Sequence, residues 1–338
     1  MKIVLDSHFF YPSIGGVEMM SEKLARAWQS FGHHVHVTTD IPLNDHTELS
    51  DLKVSRRPSA VEQVRLARWA DVFVRSGNSL QSLPWPLLTR TPHVTIHHRP
   101  LAQSHMQYRR LLLERGATYL CHNVAVSTPV AETVPGGTTR IPNTFRSIFD
   151  QPGVSDEERE GLLFVGRLVS RKGVDVALDA LHQLRERRRT PTLTICGDGP
   201  EREALEEKAR RLGLRESISF EGWTSPDALA SQYRQAAITL VPSRKEPFGI
   251  VALESIASRC PVVAANVGGL PEAVGKCGLL VEPESPPDLA DAIEKALKAD
   301  VRRSLREAMR QHIGRHRIEH IAAQYIDILD AVVTRAQR

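Results

Sequence analysis

Short apolar runs rich in Val and Ile alternate along this chain with longer segments whose apolar residues recur every three or four positions. Parallel strands, each followed by a helix that covers the sheet, satisfy that alternation. In the first half, strands are expected at Ile3–Leu5, Val35–Thr39, Val72–Arg75, Val94–Ile96 and Val124–Val126, and helices at Val17–Phe31, Ala60–Ala70, Ala102–Arg115 and Pro129–Val134. The second half repeats the style with strands at Leu162–Val165, Leu193–Cys196, Ile218–Phe220, Thr239–Val241, Val262–Ala264 and Leu279–Val281. Its helices are expected at Val174–Arg188, Glu201–Leu212, Ser225–Arg234, Ile250–Ser258 and Pro287–Ala299, and the chain reads as helical after Val301.

At 338 residues the chain exceeds what one core usually serves, so two domains are expected. Phe149–Arg159 is polar, contains Pro152 and Gly153 and lacks an apolar period, so it reads as the linker. The expected division is 1–150, 151–312 and a final segment, 313–338. No run of 18 apolar residues occurs, and Asp6 interrupts the start before a signal-peptide core could form, which points to the cytoplasm. Cys121, Cys196, Cys260 and Cys277 are scattered and read as reduced thiols. The net charge of +4 is uneven, with 16 Lys and Arg against 12 Asp and Glu in residues 1–150 and 28 against 28 beyond. So small a surplus, without basic and aromatic interleaving, argues against a nucleic-acid partner. It still makes the first half the better place to meet an anion.

Ligands of open parallel sheets bind beyond the carboxyl ends of the strands, so the loops there carry the candidates. Gly15-Gly16-Val17-Glu18 opens the first helix, where free N–H groups suit a phosphate. Alone, a glycine pair is as readily a tight turn. Gly166-Arg167-Leu168-Val169-Ser170-Arg171-Lys172-Gly173 places Arg167 and Lys172 where two cations could neutralise a leaving diphosphate. Glu246-Pro247-Phe248-Gly249-Ile250 leads into a helix containing Glu254, roughly 8 to 12 Å further along the axis. That spacing suits two parts of one long ligand. A carboxylate amid Ile-Val-Ala-Leu and Ser-Ile-Ala is costly to bury unless paired, which weakens the reading of Glu254 as an incidental surface charge. Gly197-Asp198-Gly199-Pro200 and Gly268-Gly269 are each, alone, turns. Thr95-Ile96-His97-His98 ends a strand with two imidazoles, and no acidic cluster beside them suggests a metal.

In order, these segments resemble the retaining glycosyltransferase family four, or glycosyl transferases group 1. The resemblance runs from Gly15-Gly16-Val17-Glu18 through Ile141-Pro142-Asn143, Gly166-Arg167, Lys172-Gly173 and Gly197-Asp198-Gly199-Pro200 to Glu246–Glu254 and Gly268-Gly269, nearly the whole chain. Asn143 is followed by Thr144-Phe145 where the family commonly has Gly and an apolar residue. The implied fold is α/β, with two doubly wound Rossmann-like domains facing a central cleft, called GT-B. The first domain would bind acceptor, the second nucleotide sugar, and the final helix would cross back onto the first. By the resemblance, Arg167 and Lys172 grip the donor diphosphate, Glu254 holds the ribose and Glu246 the sugar hydroxyls. Backbone amides at Phe248, Gly249 and Ile250 assist, while Gly15, Gly16 and Gly197 lie along the donor. A histidine after a first-domain strand would lie near the reacting carbon, His97 preferred and His98 in reserve.

The expected activity moves a sugar from a nucleotide diphosphate sugar, with UDP favoured by the resemblance, to an acceptor hydroxyl with retention. No Asp-x-Asp pair offers to hold a metal beside the phosphates, and no cofactor beyond the nucleotide-sugar co-substrate is expected. The rivals are a nucleotide-sugar epimerase and a non-catalytic nucleotide-sugar-binding partner protein. For the acceptor, whether sugar, lipid-linked or small molecule, Arg56, Arg57, Arg65 and Arg68 cluster around one predicted helix and Arg109, Arg110 and Arg115 around another. With Val61, Val64 and Ala67 nearby they imply a basic and partly apolar surface, suited to an anionic acceptor or to peripheral contact with a membrane surface.

Overall fold

The computed structural model describes residues 1–12, 15–42, 51–77, 79–101, 108–151, 155 and 158–338. The chain forms two compact units, residues 1–144 with 317–338 and residues 145–316.

Among the described residues the first unit holds seven strands: β1 (Lys2–Ser7), β2 (His34–Thr39), β3 (Lys53–Arg56), β4 (Val72–Ser76), β5 (His93–His97), β6 (His122–Ala125) and β7 (Thr138–Arg140). All pair in parallel in the order β3-β2-β1-β4-β5-β6-β7, with Ile3 opposite Val35 on one side and Val72 on the other. Its helices are α1 (Gly16–Ser30), α2 (Ala60–Trp69), α3 (Pro84–Thr89), α4 (Tyr108–Ala117) and α5 (Thr128–Ala131). The connections carrying α2, α3 and α4 all step the same way across the sheet, and the one carrying α1 steps the other way. Right-handed crossovers therefore put α2, α3 and α4 on one face and α1 on the opposite face. Ser59 caps α2 by accepting from the Glu62 N–H, and Leu66 and Ala67 pack it onto Val4 and Phe73.

The second unit holds β8 (Glu160–Val165), β9 (Leu193–Cys196), β10 (Ile218–Gly222), β11 (Ala236–Val241), β12 (Val262–Ala265) and β13 (Gly278–Val281), all parallel in the order β10-β9-β8-β11-β12-β13. Its helices are α6 (Val174–Glu186), α7 (Arg202–Arg211), α8 (Pro226–Gln235), α9 (Ile250–Ala257), α10 (Leu270–Val274), α11 (Pro286–Ala296), α12 (Ala299–Glu307) and α13 (Met309–Gly314). Leu162, Phe164, Ile195, Ile238 and Leu240 from the strands meet Leu178, Leu181, Leu289 and Ile293 from α6 and α11 in one core. Each such burial contributes about 1.5–3 kcal/mol.

The last helix, α14 (Ile318–Ala336), belongs to the first unit and packs on α1. There the Trp28 indole donates to the Ala322 carbonyl at 3.3 Å and meets the Tyr325 ring edge-on at 6.0 Å.

Three sequence expectations need correction. The units divide after Thr144 and His316 rather than near 150 and 312. Phe149–Arg159 is not a free linker at either end: Phe149 is fully buried edge-on to Tyr233, and Arg159 is buried with its guanidinium donating to the carbonyls of Tyr233, Ala236 and Ser258. A polar sequence there satisfies buried backbone rather than solvent. Two strands, β3 and β7, and two helices, α3 and α10, were not expected. The strands, Lys-Val-Ser-Arg and Thr-Thr-Arg, lie at the sheet edges, where half-solvated strands lose the apolar run that marks central ones. The helices have only six and five residues.

Candidate active site

In the second unit, β8 is followed by β9 on one side while β11 pairs on the other, so the order of the sheet reverses beyond the ends of β8 and β11. The two loops that open there, 166–173 and 242–249, are fastened to each other. The Arg244 N–H donates to the Arg171 carbonyl at 2.9 Å. Gly173 takes a positive φ of 67°, and a Cβ there would lie 2.0 Å from the Pro242 carbonyl oxygen. Only glycine permits that approach.

Side chains complete the fastening. The Arg244 guanidinium donates to both oxygens of Asp175 at 2.8 and 2.7 Å, to the Ser170 carbonyl at 2.6 Å and to Glu284 at 2.8 Å. These bonds hold Asp175 below the usual carboxylate range and raise Arg244 above its own. Within this frame Lys172 Nζ lies 2.5 Å from Glu246 Oε2, with side chains only 14% and 12% exposed. Arg167 is exposed on the same loop as Lys172, which Leu168 anchors in the core. Gly197 follows β9 with its Cα against the Gly166 carbonyl.

Beyond the second loop, α9 begins at Ile250 with Gly249 as its N-cap, leaving first-turn N–H groups without helical acceptors. Phe248, before it, is 2% exposed, and Glu254 is 6% exposed between Leu253 and Ser255. The Gly269 N–H donates to the Glu246 carbonyl at 3.0 Å, tying the start of α10 to the same loop. The unit thus places Lys172, Glu246 and the exposed Arg167 on two fastened loops, with a helix N-terminus after the second and Glu254 inside that helix. Such a set can bind a diphosphate and a polyhydroxylated group together.

In the first unit the sheet order reverses at β1 and β4. Gly15 and Gly16 open α1 there, while Ser13 and Ile14 lie outside the described residues. Ser7, Ser21, Ser76 and His98 form a line of side-chain hydrogen bonds at 3.0, 2.8 and 3.0 Å across β1, α1 and β4. Burial, and then the charge of neighbouring His97, push the His98 imidazole down to about 4. His97 turns the other way. It is 2% exposed, its Nε2 lies 2.9 Å from Asn123 Oδ1 on β6, and burial lowers its pKa. It also lines a small cavity with Arg75, Thr95 and Cys121. The two imidazoles thus part: His97 is buried against Asn123 of β6, and His98 is the one joined through Ser76 and Ser21 to β4 and α1.

The basic cluster also divides. Arg56 ends β3 and donates to the carbonyls of Tyr11 and Ile41, so it braces loops rather than a helix face. Val61, Val64, Arg65 and Arg68 do share one surface hollow on α2, but Ala67 is in the core. The side chains of Arg109 and Arg110 lie outside the described residues.

The family model described as glycosyl transferases group 1 matches residues 145–314, half of the chain. The chain belongs to that family. As a group 1 glycosyltransferase it is 37% identical over 223 residues to the D-inositol 3-phosphate glycosyltransferase of Corynebacterium urealyticum, covering 62% of this chain and 52% of that one. It spans about half or less of the length of the first curated relatives it matches. Its fold is GT-B. Anabaena HepE in complex with UDP superposes with a TM-score of 0.82 at 21% identity over 98% of this chain and 99% of that chain. The glycosyltransferase of Rickettsia africae gives 0.81 at 17%, over 98% of each.

Sequence reasoning missed Arg244 and Asp175 as the frame of this candidate site. Their signal is the arginine directly before Lys245-Glu246 and the aspartate directly after Gly173-Val174, 69 residues apart.

Proposed function

We propose that the chain transfers a hexose from a UDP-sugar to an acceptor hydroxyl with retention and without a metal ion. The observation that carries this reading is the largely buried Lys172–Glu246 pair, which joins the loop that carries Arg167 to the loop that leads into α9, the helix of Glu254. Donor binding separates the pair without stranding either charge. The ammonium turns to the diphosphate, and the carboxylate accepts from sugar hydroxyls. Glu254 accepts from the ribose hydroxyls. The crystal structure of HepE holds UDP, which supports a uridine donor.

As the bond from the anomeric carbon to the phosphate oxygen breaks, positive charge grows on the sugar and the electron pair moves to the diphosphate. Lys172, Arg167 and the amides opening α9 answer the second charge, which is the work a divalent ion does in other transferases. The acceptor oxygen bonds to the anomeric carbon on the face the diphosphate leaves, and its proton passes to the departing phosphate oxygen. His98, neutral near pH 7, is the first-unit imidazole offered to the reacting sugar.

The acceptor falls to the first unit. Several relatives are named D-inositol 3-phosphate glycosyltransferase, and a phosphorylated compound in that name supports an anionic acceptor here. No helix among the described residues is long and apolar enough to cross a membrane. The α2–α3–α4 face nonetheless exposes Val61, Leu88 and Leu113 beside Arg65, Arg68, Arg90 and Arg115, and we assign it to peripheral contact with an anionic membrane from the cytoplasmic side.

The test is thermal stabilisation by a panel of nucleoside diphosphates in excess chelator. A binder at 100 times its Kd adds about 2.7 kcal/mol. Transfer is then followed with acceptors, and the product anomer is assigned by NMR. UDP should stabilise most and the α-linkage of the donor should persist. Loss of transfer on chelation with recovery on adding metal, or an inverted anomer, rejects the corresponding part of the reading.

A further inference from the structure

A histidine pair that the proposed chemistry does not use stands behind the donor-sugar loop. His316, the last residue of the second unit, is 5% exposed, with its ring centroid 6.0 Å from that of Phe248 and 4.9 Å from that of His312. His312 Nε2 in turn lies 2.8 Å from the Ala273 carbonyl at the end of α10, so Nε2 carries the proton and donates. Gly275, just past α10, leaves room for that ring: a Cβ there would lie 2.8 Å from His312 Cε1. The helix that carries His312, α13, packs on α9. Residues 246–249 have no helix or strand of their own, and Gly249 sits at a φ of 108°. Besides the hydrogen bonds that fasten it to its neighbours, the loop is held by its one large buried side chain, Phe248, and by what that ring rests on.

We propose that His316, braced by His312, is a positioning residue for sugar recognition. It sets Phe248 and thereby aims the Glu246 carboxylate and the amides around Gly249 at the donor sugar. The inference rests on the assignment of Glu246 to the sugar and deepens it. The diphosphate is assigned to Lys172 and Arg167 on the loop 166–173, whereas the histidine ring meets Phe248 on the sugar loop, so the effect should be larger when the ligand carries a sugar.

Titrations with UDP and with UDP-glucose separate the two. In His316→Ala, affinity for UDP should stay within about twofold of wild type, whereas affinity for UDP-glucose should fall by roughly tenfold, as loss of one good contact predicts. His316→Phe restores a ring and should recover most of the loss. If His316→Ala does not fold, His312→Ala at its half-buried position carries the test, with UDP-glucose affinity falling several-fold and UDP unchanged. Wild-type affinity for UDP-glucose in a folded variant, or parallel losses for both ligands that His316→Phe does not repair, would overturn the proposal. Failure of the wild type itself to bind UDP would instead reject the donor reading.

Discussion

Arg244 donates both arms of its guanidinium to Asp175, at 2.8 and 2.7 Å, and so joins the loop after β11 to the first turn of α6. With both side chains partly solvated, this fork should contribute about 1–2 kcal/mol after screening. Asp175→Asn should lower stability by that amount at pH 7. Because the folded pKa lies below the reference value of 3.8, the contribution is present in full above that value and lost as pH falls through the depressed one. Urea unfolding from pH 7 to 3 should therefore show wild type and variant converging at the acid end. A constant gap would mean that the pair is not charged as described.

Lys172 and Arg167 differ in burial, and their variants should differ accordingly. Each change to Ala should reduce turnover by roughly 100-fold or more if each cation stabilises the leaving diphosphate by a few kcal/mol. Lys172→Ala should also cost stability, because it leaves the largely buried Glu246 without its cation. Arg167→Ala, at an exposed site, should melt like wild type. Near-native turnover in both at saturating donor would remove the diphosphate assignment.

The two carboxylates should separate binding from chemistry. Glu254→Gln should weaken UDP affinity, since it is assigned to the ribose, and Glu246→Gln should lower turnover while UDP affinity holds. Unchanged UDP affinity in Glu254→Gln removes the ribose role.

What the sequence made legible follows from how locally each feature is encoded. The central strands of the second unit were expected because strands covered on both faces read as unbroken apolar runs such as Leu-Leu-Phe-Val and Val-Val-Ala. The edge strands β3 and β7 carry no such run. Lys172, Glu246 and Glu254 stood out through their neighbours, but the fork from Arg244 to Asp175 spans 69 residues and leaves no local trace. For His97 and His98, the alternation of a strand implies that adjacent side chains part, though not which one turns inward. Asn123, on the neighbouring strand, decides that by accepting from His97. His316 was missed because its partner, Phe248, is distant in sequence.

The histidines give a pH dependence with a defined sign. His98, and His93 with it, are pushed to about 4 from 6.5 by burial, so the neutral rings stabilise the fold in full above 6.5. That stability is lost as pH falls from 6.5 towards 4, where the unfolded chain takes up protons first. His98→Gln should flatten part of this slope and, if His98 meets the reacting sugar, cut turnover by roughly 100-fold. His97→Gln should instead lower the melting temperature while turnover per folded molecule stays near wild type. The reverse pattern, with His97→Gln the catalytic lesion, would assign the reacting sugar to His97 instead.

The remaining prediction concerns the face built by α2, α3 and α4. Val61, Leu88 and Leu113 are 71%, 70% and 64% exposed there. Arg65 and Arg68 of α2, Arg90 after α3 and Arg115 of α4 are exposed as well. A helix surface that mixes apolar and cationic groups binds an anionic bilayer through two terms, and salt weakens only one. Sedimentation with phosphatidylglycerol vesicles should therefore show binding that falls from low to high salt without vanishing, and no binding to phosphatidylcholine alone. Neutralising the four arginines should remove the salt-dependent part, whereas Leu88→Ser with Leu113→Ser should remove the residue that survives high salt. Equal behaviour of wild type and both variants would leave a soluble acceptor as the better account. Acceptor affinity measured over the same salt range separates the two anions: a salt dependence that persists in the four-arginine variant belongs to the acceptor site rather than to the membrane face.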